Sequence, residues 1–142
     1  MVTGAIRQFV EEVEWGKLDA MVLDLPPGTG DAVLSVVQLI PISGALIVTT
    51  PNELAATTAV RGAMVFEKSD VKILGVVENM AYMQMPDGTR EYIFGEGFAD
   101  DAAAKLGTKV LARIPLDKTL HTQNISEQTT RIFDAIADEI AG

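Results

Sequence analysis

Residues 22–31 read VLDLPPGTGD, and this stretch decides the fold that the sequence predicts. Residues 19–25 (DAMVLDL) are mostly apolar with Asp24 near the end, a pattern typical of a central strand in a parallel sheet. The two prolines and two glycines that follow predict a tight turn, and Asp31 is a good N-cap for the next helix. We therefore expect a buried strand that ends near Asp24, then a turn and a helix.

The rest of the chain alternates between helical and strand patterns. Helices are predicted within 4–16, 31–40, 52–69, 95–107 and 126–142, further strands at 44–50, 71–79 and 109–115, and a hairpin at 80–94. This order predicts a single α/β domain over residues 1–142, with a mostly parallel sheet and helices on both faces. Ligands of such sheets bind beyond the carboxyl ends of the strands, where the sequence places Asp24, Glu78, Asn79 and Pro115.

Composition excludes several classes of function. The formal net charge is -9, from 20 acidic and 11 basic residues, which argues against a nucleic-acid groove or an anionic membrane surface. The chain has no cysteine, so it offers neither disulfides nor thiolate ligands for a metal or cluster. No apolar run approaches the ~20 residues of a membrane helix, and the N-terminus lacks a secretion signal. These features predict a soluble, cytoplasmic protein.

Asp24 is the strongest candidate for a metal contact. A carboxylate at the end of a buried strand loses hydration and needs a compensating cation or hydrogen bonds. Mg²⁺, bound directly or through one of its waters, would meet that need, and phosphate-binding sheets use this position in that way. Gly28 and Gly30 would let backbone N–H groups approach an anion closely. The alternative is an ordinary strand-to-helix turn in which Asp31 only caps the helix.

Five motifs follow one another in an order that resembles a known family. They are LDAMVLDLPPGTGD (18–31), ISGALIVTTP (42–51), GVVENM (75–80), IFGEG (93–97) and IPLD (114–117). Together they resemble the Mrp/ApbC family of MinD-like P-loop ATPases, which is linked to carrying or assembling iron–sulfur clusters. The resemblance spans nearly the whole chain. It implies a P-loop NTPase fold, ATP and Mg²⁺ as cofactors, and a homodimer.

The resemblance also implies roles for matching residues. Asp24 would be the Walker B acid near Mg²⁺, and Gly28 the switch II glycine near the γ-phosphate, so these two are the catalytic candidates. Asn79 would hydrogen-bond the edge of the adenine, and Pro115 and Leu116 would line the pocket for the base. Asn79 could instead cap the end of its strand, and Pro115 could be a turn residue.

The chain departs from the family pattern because it has no Walker A loop. A phosphate cradle needs a Gly-rich loop that leads into a helix, with a lysine that reaches the phosphates. The one Gly-Lys pair is Gly16-Lys17, and it precedes a strand pattern rather than a helix. The chain therefore resembles the C-terminal portion of such an ATPase domain, with a fold incomplete at its N-terminus. We expect no ATP hydrolysis by this portion alone.

A second departure concerns the hairpin. Many family members place Cys-x-x-Cys after NM, whereas this chain reads AYMQMPDGTREYIF over residues 81–94. Methionine thioethers do not replace bridging thiolates, so we predict no iron–sulfur ligand here. The large side chains of the hairpin indicate either a subunit interface or a hairpin folded over the sheet edge.

Three functions remain open from the sequence. The first is an ATPase that carries or assembles iron–sulfur clusters, with assembly or recipient proteins as partners. The second is a non-catalytic module that binds adenine and dimerises. The third is a MinD/ParA-type positioning ATPase, which would usually add a membrane-binding amphipathic tail. The final helix carries Asp134, Asp138 and Glu139 and is not basic, which counts against the third.

Overall fold

The computed structural model describes residues 2–26 and 31–142. In chain order, the elements within these ranges are α1 (Val2–Glu11), α2 (Asp31–Leu39), β1 (Ala45–Thr49), α3 (Glu53–Lys68), β2 (Ile73–Glu78), β3 (Met83–Gln84), β4 (Arg90–Glu91), α4 (Phe98–Lys105), β5 (Val110–Arg113) and α5 (Glu127–Ala141). Every predicted helix, the hairpin and three of the four predicted strands are confirmed. None of the described helices is long and apolar enough to cross a membrane.

The three longer strands form one parallel sheet in the order β1-β2-β5. Thr49 of β1 is paired with Glu78 of β2, and Glu78 is paired in turn with Arg113 of β5. All three strands run in the same direction, so their carboxyl ends meet at one edge. This arrangement confirms the parallel sheet and brings the ends of β1, β2 and β5 together.

Helices cover both faces of this sheet. On one face, α3 and α4 pack against a core that includes Ile47, the fully buried Val76 and Ala99. On the other face, α5 places Ile136 against Val77 and Ile114. Alternate residues of a strand point to opposite faces, so the continuous apolar run of β2 is explained by burial on both sides. The predicted α/β class is confirmed.

The loops at the carboxyl edge are held by local hydrogen bonds. Asn52 caps α3: its Oδ1 accepts from the backbone N–H groups of Leu54 and Ala55, at 2.9 and 3.2 Å. Pro51, directly before this cap, is almost fully buried. The chain thus passes from β1 into α3 through a short turn that leaves the end of β1 at the edge.

The predicted strand over residues 19–25 is wrong. This segment is irregular in the structure and joins no described strand. Its apolar side chains lie open, with Val22 76% exposed, and Asp24 is exposed as well. A strand requires a neighbouring backbone that accepts and donates its hydrogen bonds, and no described part of the chain supplies one to this segment. The expectation that Asp24 is buried at a strand end fails for the same reason.

Candidate functional site

Asn79 lies immediately beyond the end of β2, at the carboxyl edge of the sheet. Its backbone N–H donates to the carbonyl of Thr49 at 2.8 Å, which fixes it to the end of β1. Its side-chain Oδ1 accepts from the backbone N–H of Met80 at 2.9 Å, and Met80 has a left-handed φ of 56°. No described residue accepts a hydrogen bond from the side-chain Nδ2 of Asn79, so that donor is available to a ligand.

The segments that follow β2 and β5 are joined to each other. The backbone N–H of Ala81 donates to the carbonyl of Ile114 at 2.9 Å, and that of Leu116 donates to the carbonyl of Tyr82 at 2.8 Å. These bonds hold residues 79–82 against residues 114–116. The structure therefore brings Asn79, Pro115 and Leu116 into one neighbourhood, as the sequence predicted, although their role in binding stays a prediction.

A large cleft separates residues 18–26 from β1. Its volume is about 1870 Å³, and its lining includes Asp24, Thr49, Asn52 and Asn79. Pockets for small ligands are commonly ~300–1,000 Å³, so this cleft exceeds what one nucleotide would fill. Asp24 and Asn79 open onto the same space, whereas Pro115 and Leu116 are not in its lining. Both walls are largely apolar.

The residues predicted to meet phosphate and metal are only partly described. Gly28 lies outside the described residues. Asp24 lies in the cleft wall as an exposed carboxylate, and among the described residues no group of three or more His, Cys, Asp or Glu side chains could hold a metal ion. A single carboxylate still fits Mg²⁺ that arrives with a nucleotide, because this ion keeps several waters and takes its other ligands from phosphates.

Asp117 organises the loop that follows Pro115 and Leu116, which the sequence did not reveal. Its Oδ1 accepts from the backbone N–H and the hydroxyl of Thr119, at 2.8 and 2.7 Å. Its Oδ2 accepts from the hydroxyls of Ser126 and Thr129, at 2.5 and 2.6 Å. Ser126 is also the N-cap of α5. The carboxylate thus fastens the loop after Leu116 to α5, a helix that packs on the sheet.

Hydrogen bonds from Ser126, then Thr119 and Thr129, hold the pKa of Asp117 well below its ordinary value of 3.8. A lowered pKa means that the ionised carboxylate stabilises the fold above the ordinary pKa, and that this contribution is lost as the pH falls through the folded-state pKa. The sequence signal for this network is Asp-x-Thr (Asp117 and Thr119) followed by Ser-x-x-Thr (Ser126 and Thr129). The second pattern is typical of a helix N-cap, in which the serine side chain accepts from the backbone N–H three residues later.

Asp117→Asn is expected to lower the melting temperature at neutral pH, because the amide cannot accept all four hydrogen bonds. The difference in melting temperature between this variant and the unchanged chain should shrink as the pH falls below 3.8, since Asp117 then protonates in the unfolded chain. Thermal denaturation over a pH series measures both effects. Asp134→Asn, on the exposed side of α5, is the matched control and should change little. Equal melting temperatures for the two variants would contradict the assigned role.

The hairpin of β3 and β4 follows the second expected arrangement at its base, and a subunit interface on its outer side stays a prediction. Tyr82, just before β3, is buried; its hydroxyl accepts from the side-chain amide of Gln128 at 3.4 Å. The guanidinium of Arg90 lies over the Tyr82 ring, 4.3 Å from its centroid, a cation–π contact. Met83 and Phe94 are exposed, Phe94 by 54%. The base of the hairpin is thus folded onto the sheet edge, while its outer side chains are open.

The parallel sheet with helices on both faces defines an α/β protein, and comparison with known proteins assigns it the P-loop NTPase fold. The chain belongs to the family described as ParA: NUBPL iron-transfer P-loop NTPase, which matches residues 1–141. This confirms the family that the sequence motifs indicated.

Individual relatives support this assignment. The chain is 42% identical over 135 residues to an iron-sulfur cluster carrier protein of Pseudomonas fragi, covering 94% of this chain and 47% of the relative. It is 46% identical over 149 residues to one of Saccharolobus solfataricus, covering 96% and 50%. The iron-sulfur cluster transfer protein NUBPL of Dictyostelium discoideum is 44% identical over 117 residues, covering 82% and 36%. The chain therefore spans half or less of the length of these relatives.

A solved structure agrees with the same fold. A nucleotide-binding protein from Archaeoglobus fulgidus, in complex with ADP, superposes with a TM-score of 0.70 at 37% identity. The match covers 99% of this chain and 54% of that protein. The described part of this chain thus has the architecture of about half of a known nucleotide-binding protein.

Proposed function

We propose that residues 1–142 form the adenine-binding and Walker B portion of an ATP-hydrolysing protein that acts in iron–sulfur cluster transfer. The observation that carries this proposal is the position of Asn79. It lies at the carboxyl edge of a parallel sheet, with its Nδ2 unengaged by any described residue, beside Pro115 and Leu116. The ADP complex of the Archaeoglobus fulgidus protein and the names of the bacterial and archaeal relatives support it.

Each of these residues has a chemically suitable role. The Nδ2 of Asn79 donates to a ring nitrogen of adenine, and its Oδ1 keeps a second lone pair for the exocyclic amine. Leu116, which is half-buried, supplies apolar contact with the base, and Pro115, which is buried, restricts the backbone directly before it. Asp24 would hold Mg²⁺ directly or through a water, and Gly28, as the switch II glycine of the family pattern, would contact the γ-phosphate. Magnesium bound with the phosphates supplies charge neutralisation for phosphoryl transfer.

In this proposal, the phosphate-binding loop and the ligands of the iron–sulfur cluster are supplied from outside residues 1–142. The sequence has no Gly-rich loop with a phosphate-reaching lysine, so another segment of a longer parent protein provides it. The iron–sulfur cluster is the cargo, and cysteines beyond this chain, or on a partner, ligate it because this chain has none. We place the protein in the cytoplasm as a homodimer that meets cluster-assembly or recipient proteins, without nucleic acid or membrane as a partner.

Asn79→Asp is expected to weaken ADP binding by about tenfold. The substitution preserves shape and the oxygen that accepts from the Met80 N–H, but it replaces the donating amide by a second acceptor. Isothermal titration of the chain with Mg-ADP measures the change. GDP is a useful second ligand, since the proposed contacts favour the hydrogen-bonding edge of adenine and the base preference should fall with Asn79→Asp.

Asn124→Asp is the matched control, because it adds the same charge in an exposed loop and should leave the affinity unchanged. Equal affinities for Asn79→Asp and the unchanged chain would contradict the adenine role of Asn79.

The second candidate function is a non-catalytic module that binds adenine and dimerises. The lack of a Walker A loop favours this function for the chain taken alone. Binding without phosphate release, in a parent protein that carries the loop, would support that module over the ATPase.

A further inference from the structure

A buried carboxylate lies directly before Asn79. Glu78 ends β2 and is only 3% exposed, on the sheet face that α3 and α4 cover, because it points to the same side as Val76. Its Oε2 lies 3.2 Å from the Nε of Arg113, its neighbour across the β2–β5 pair. Its Oε1 accepts no hydrogen bond from any described residue. One half of this carboxylate is thus paired and the other half is not.

The ion pair continues to a helix. The Nη2 of Arg113 donates to the Oδ2 of Asp100 at 2.5 Å, and Asp100 lies in the first turn of α4. The N-cap of that helix, Gly97, has no side chain to cap the first turn. Arg113 therefore joins the end of β2, the end of β5 and the start of α4. We call Glu78, Arg113 and Asp100 the strand-end triad.

Stability alone does not explain this arrangement. Taking a carboxylate out of water is costly, and an apolar pair of similar volume often stabilises a fold as well as a buried ion pair does. Burial raises the pKa of Glu78 above its ordinary value of 4.5, against the opposing effect of Arg113. The ion pair also fixes an orientation, because the donors of the Arg113 guanidinium lie in a fixed planar fork and bind the carboxylate in a defined geometry. The pair therefore fixes how the two strand ends lie relative to each other.

The strand ends in question carry the proposed base site. The carbonyl of Glu78 accepts from the N–H of Ile114 at 2.8 Å, and the next residue, Asn79, is bound to Thr49. Further on, the Ala81 and Leu116 N–H groups tie residues 79–82 to residues 114–116. A change in the distance between Glu78 and Arg113 would move Asn79 relative to Pro115 and Leu116. The triad lies behind this edge and does not touch the cleft itself.

We propose that the strand-end triad is a positioning device that sets the spacing between Asn79 and the Pro115–Leu116 segment, and thereby the preference for adenine over guanine. The inference rests on the proposed nucleotide function, which it refines. Glu78 and Arg113 act through Asn79, so they are positioning residues and not catalytic ones. Asp100 steadies the exposed side of Arg113 from α4.

The test combines a measurement without nucleotide and one with it. Glu78→Gln keeps the size of the side chain and removes its charge. Amide hydrogen exchange of Ala81 and Leu116 should accelerate by about tenfold, while the amide of Val76, which donates to Lys109 within the sheet, stays unchanged. In titrations, the ratio of ADP to GDP affinity should fall. Glu127→Gln, in the exposed ion pair with Arg131 on α5, is the matched control and should alter neither quantity.

Asp100→Asn provides a variant that is not expected to disturb folding, because Asp100 is largely exposed. It should change the ADP to GDP ratio in the same direction as Glu78→Gln, by a smaller factor, without lowering the melting temperature. Unchanged exchange and an unchanged ratio in Glu78→Gln, in a chain that binds ADP, would overturn the inference. Failure of the unchanged chain to bind ADP would instead overturn the proposed function, and the nucleotide role of the triad with it.

Discussion

Arg113→Met is expected to lower the free energy of unfolding by roughly 3 kcal/mol. The substitution removes the partner of Glu78 and leaves a carboxylate that is 3% exposed without a compensating charge. Breaking a buried pair by removing one member commonly costs more than the pair contributed, because the remaining charge stays desolvated. Since the side chain of Arg113 is itself 35% exposed, we place the loss at the lower end of the usual range.

The loss should depend on pH. The pKa of Glu78 is already raised by burial, and removing Arg113 raises it further, because the cation favours the ionised form. A group with a raised folded-state pKa contributes stability that is present below its unfolded-state pKa and is lost as the pH rises through the folded-state pKa. Arg113→Met should therefore differ little from the unchanged chain in acid, and the difference in stability should grow as the pH rises through the folded-state pKa of Glu78 in the unchanged chain, which lies above 4.5.

Denaturant unfolding over a pH series measures this effect. Arg131→Met is the matched control, because Arg131 forms an exposed ion pair with Glu127, and such pairs contribute only about 0–1 kcal/mol. The double variant Glu78→Gln/Arg113→Met should regain part of the stability, since it no longer buries a charge. A loss for Arg113→Met no larger than that for Arg131→Met would show that Glu78 does not depend on its partner.

The second large effect is expected for Asp24→Asn in a parent protein that joins these residues to a phosphate-binding loop. If Asp24 holds Mg²⁺ as proposed, loss of its carboxylate should lower kcat for ATP hydrolysis by at least about 100-fold, because metal stabilisation of the transition state supplies several kcal/mol. The stability of the 142-residue chain should stay within about 0.5 kcal/mol of its original value, because Asp24 is exposed here. Phosphate release and denaturant unfolding measure the two quantities.

Asp19→Asn is the matched control for this experiment. Asp19 belongs to the same exposed segment and lines the same cleft, but no role in binding phosphate or metal is predicted for it. Its substitution should leave turnover near its original rate. Near-normal hydrolysis by Asp24→Asn would remove the Walker B assignment, and a comparable loss in both variants would show that the segment responds to charge in general.

Much of the fold could be predicted from residue patterns. The apolar run of β2 and the helical spacing in α5 are local signals, and the alternation of helices and strands restricts the connections to a parallel sheet. The Pro-Asp-Gly turn at residues 86–88 predicted the hairpin in the same way. These features succeed because side-chain period and turn chemistry are properties of a few adjacent residues.

The candidate site was predictable only in part. Asn79 and Pro115 follow strands, so their meeting at one edge follows from the parallel arrangement alone. The network around Asp117 and the triad of Glu78, Arg113 and Asp100 were not predicted. Apart from the local bonds between Thr119 and Asp117, they join residues that are 9 or more positions apart, as the bonds from Ser126 to Asp117 and from Arg113 to Asp100 do. Such contacts depend on strand register and helix placement, which local sequence does not specify.

Residues 22–31 show where the boundary between sequence and tertiary structure lies. The sequence by itself determined that residues 19–25 are apolar enough for a strand, that Asp24 lies near the end of this segment, and that the family is one of P-loop NTPases. Only the tertiary structure decided that this segment lies exposed along an open cleft beside β1. The physical reason is that a strand is stabilised by the backbone hydrogen bonds of a neighbour, and a neighbour is a property of the assembled fold.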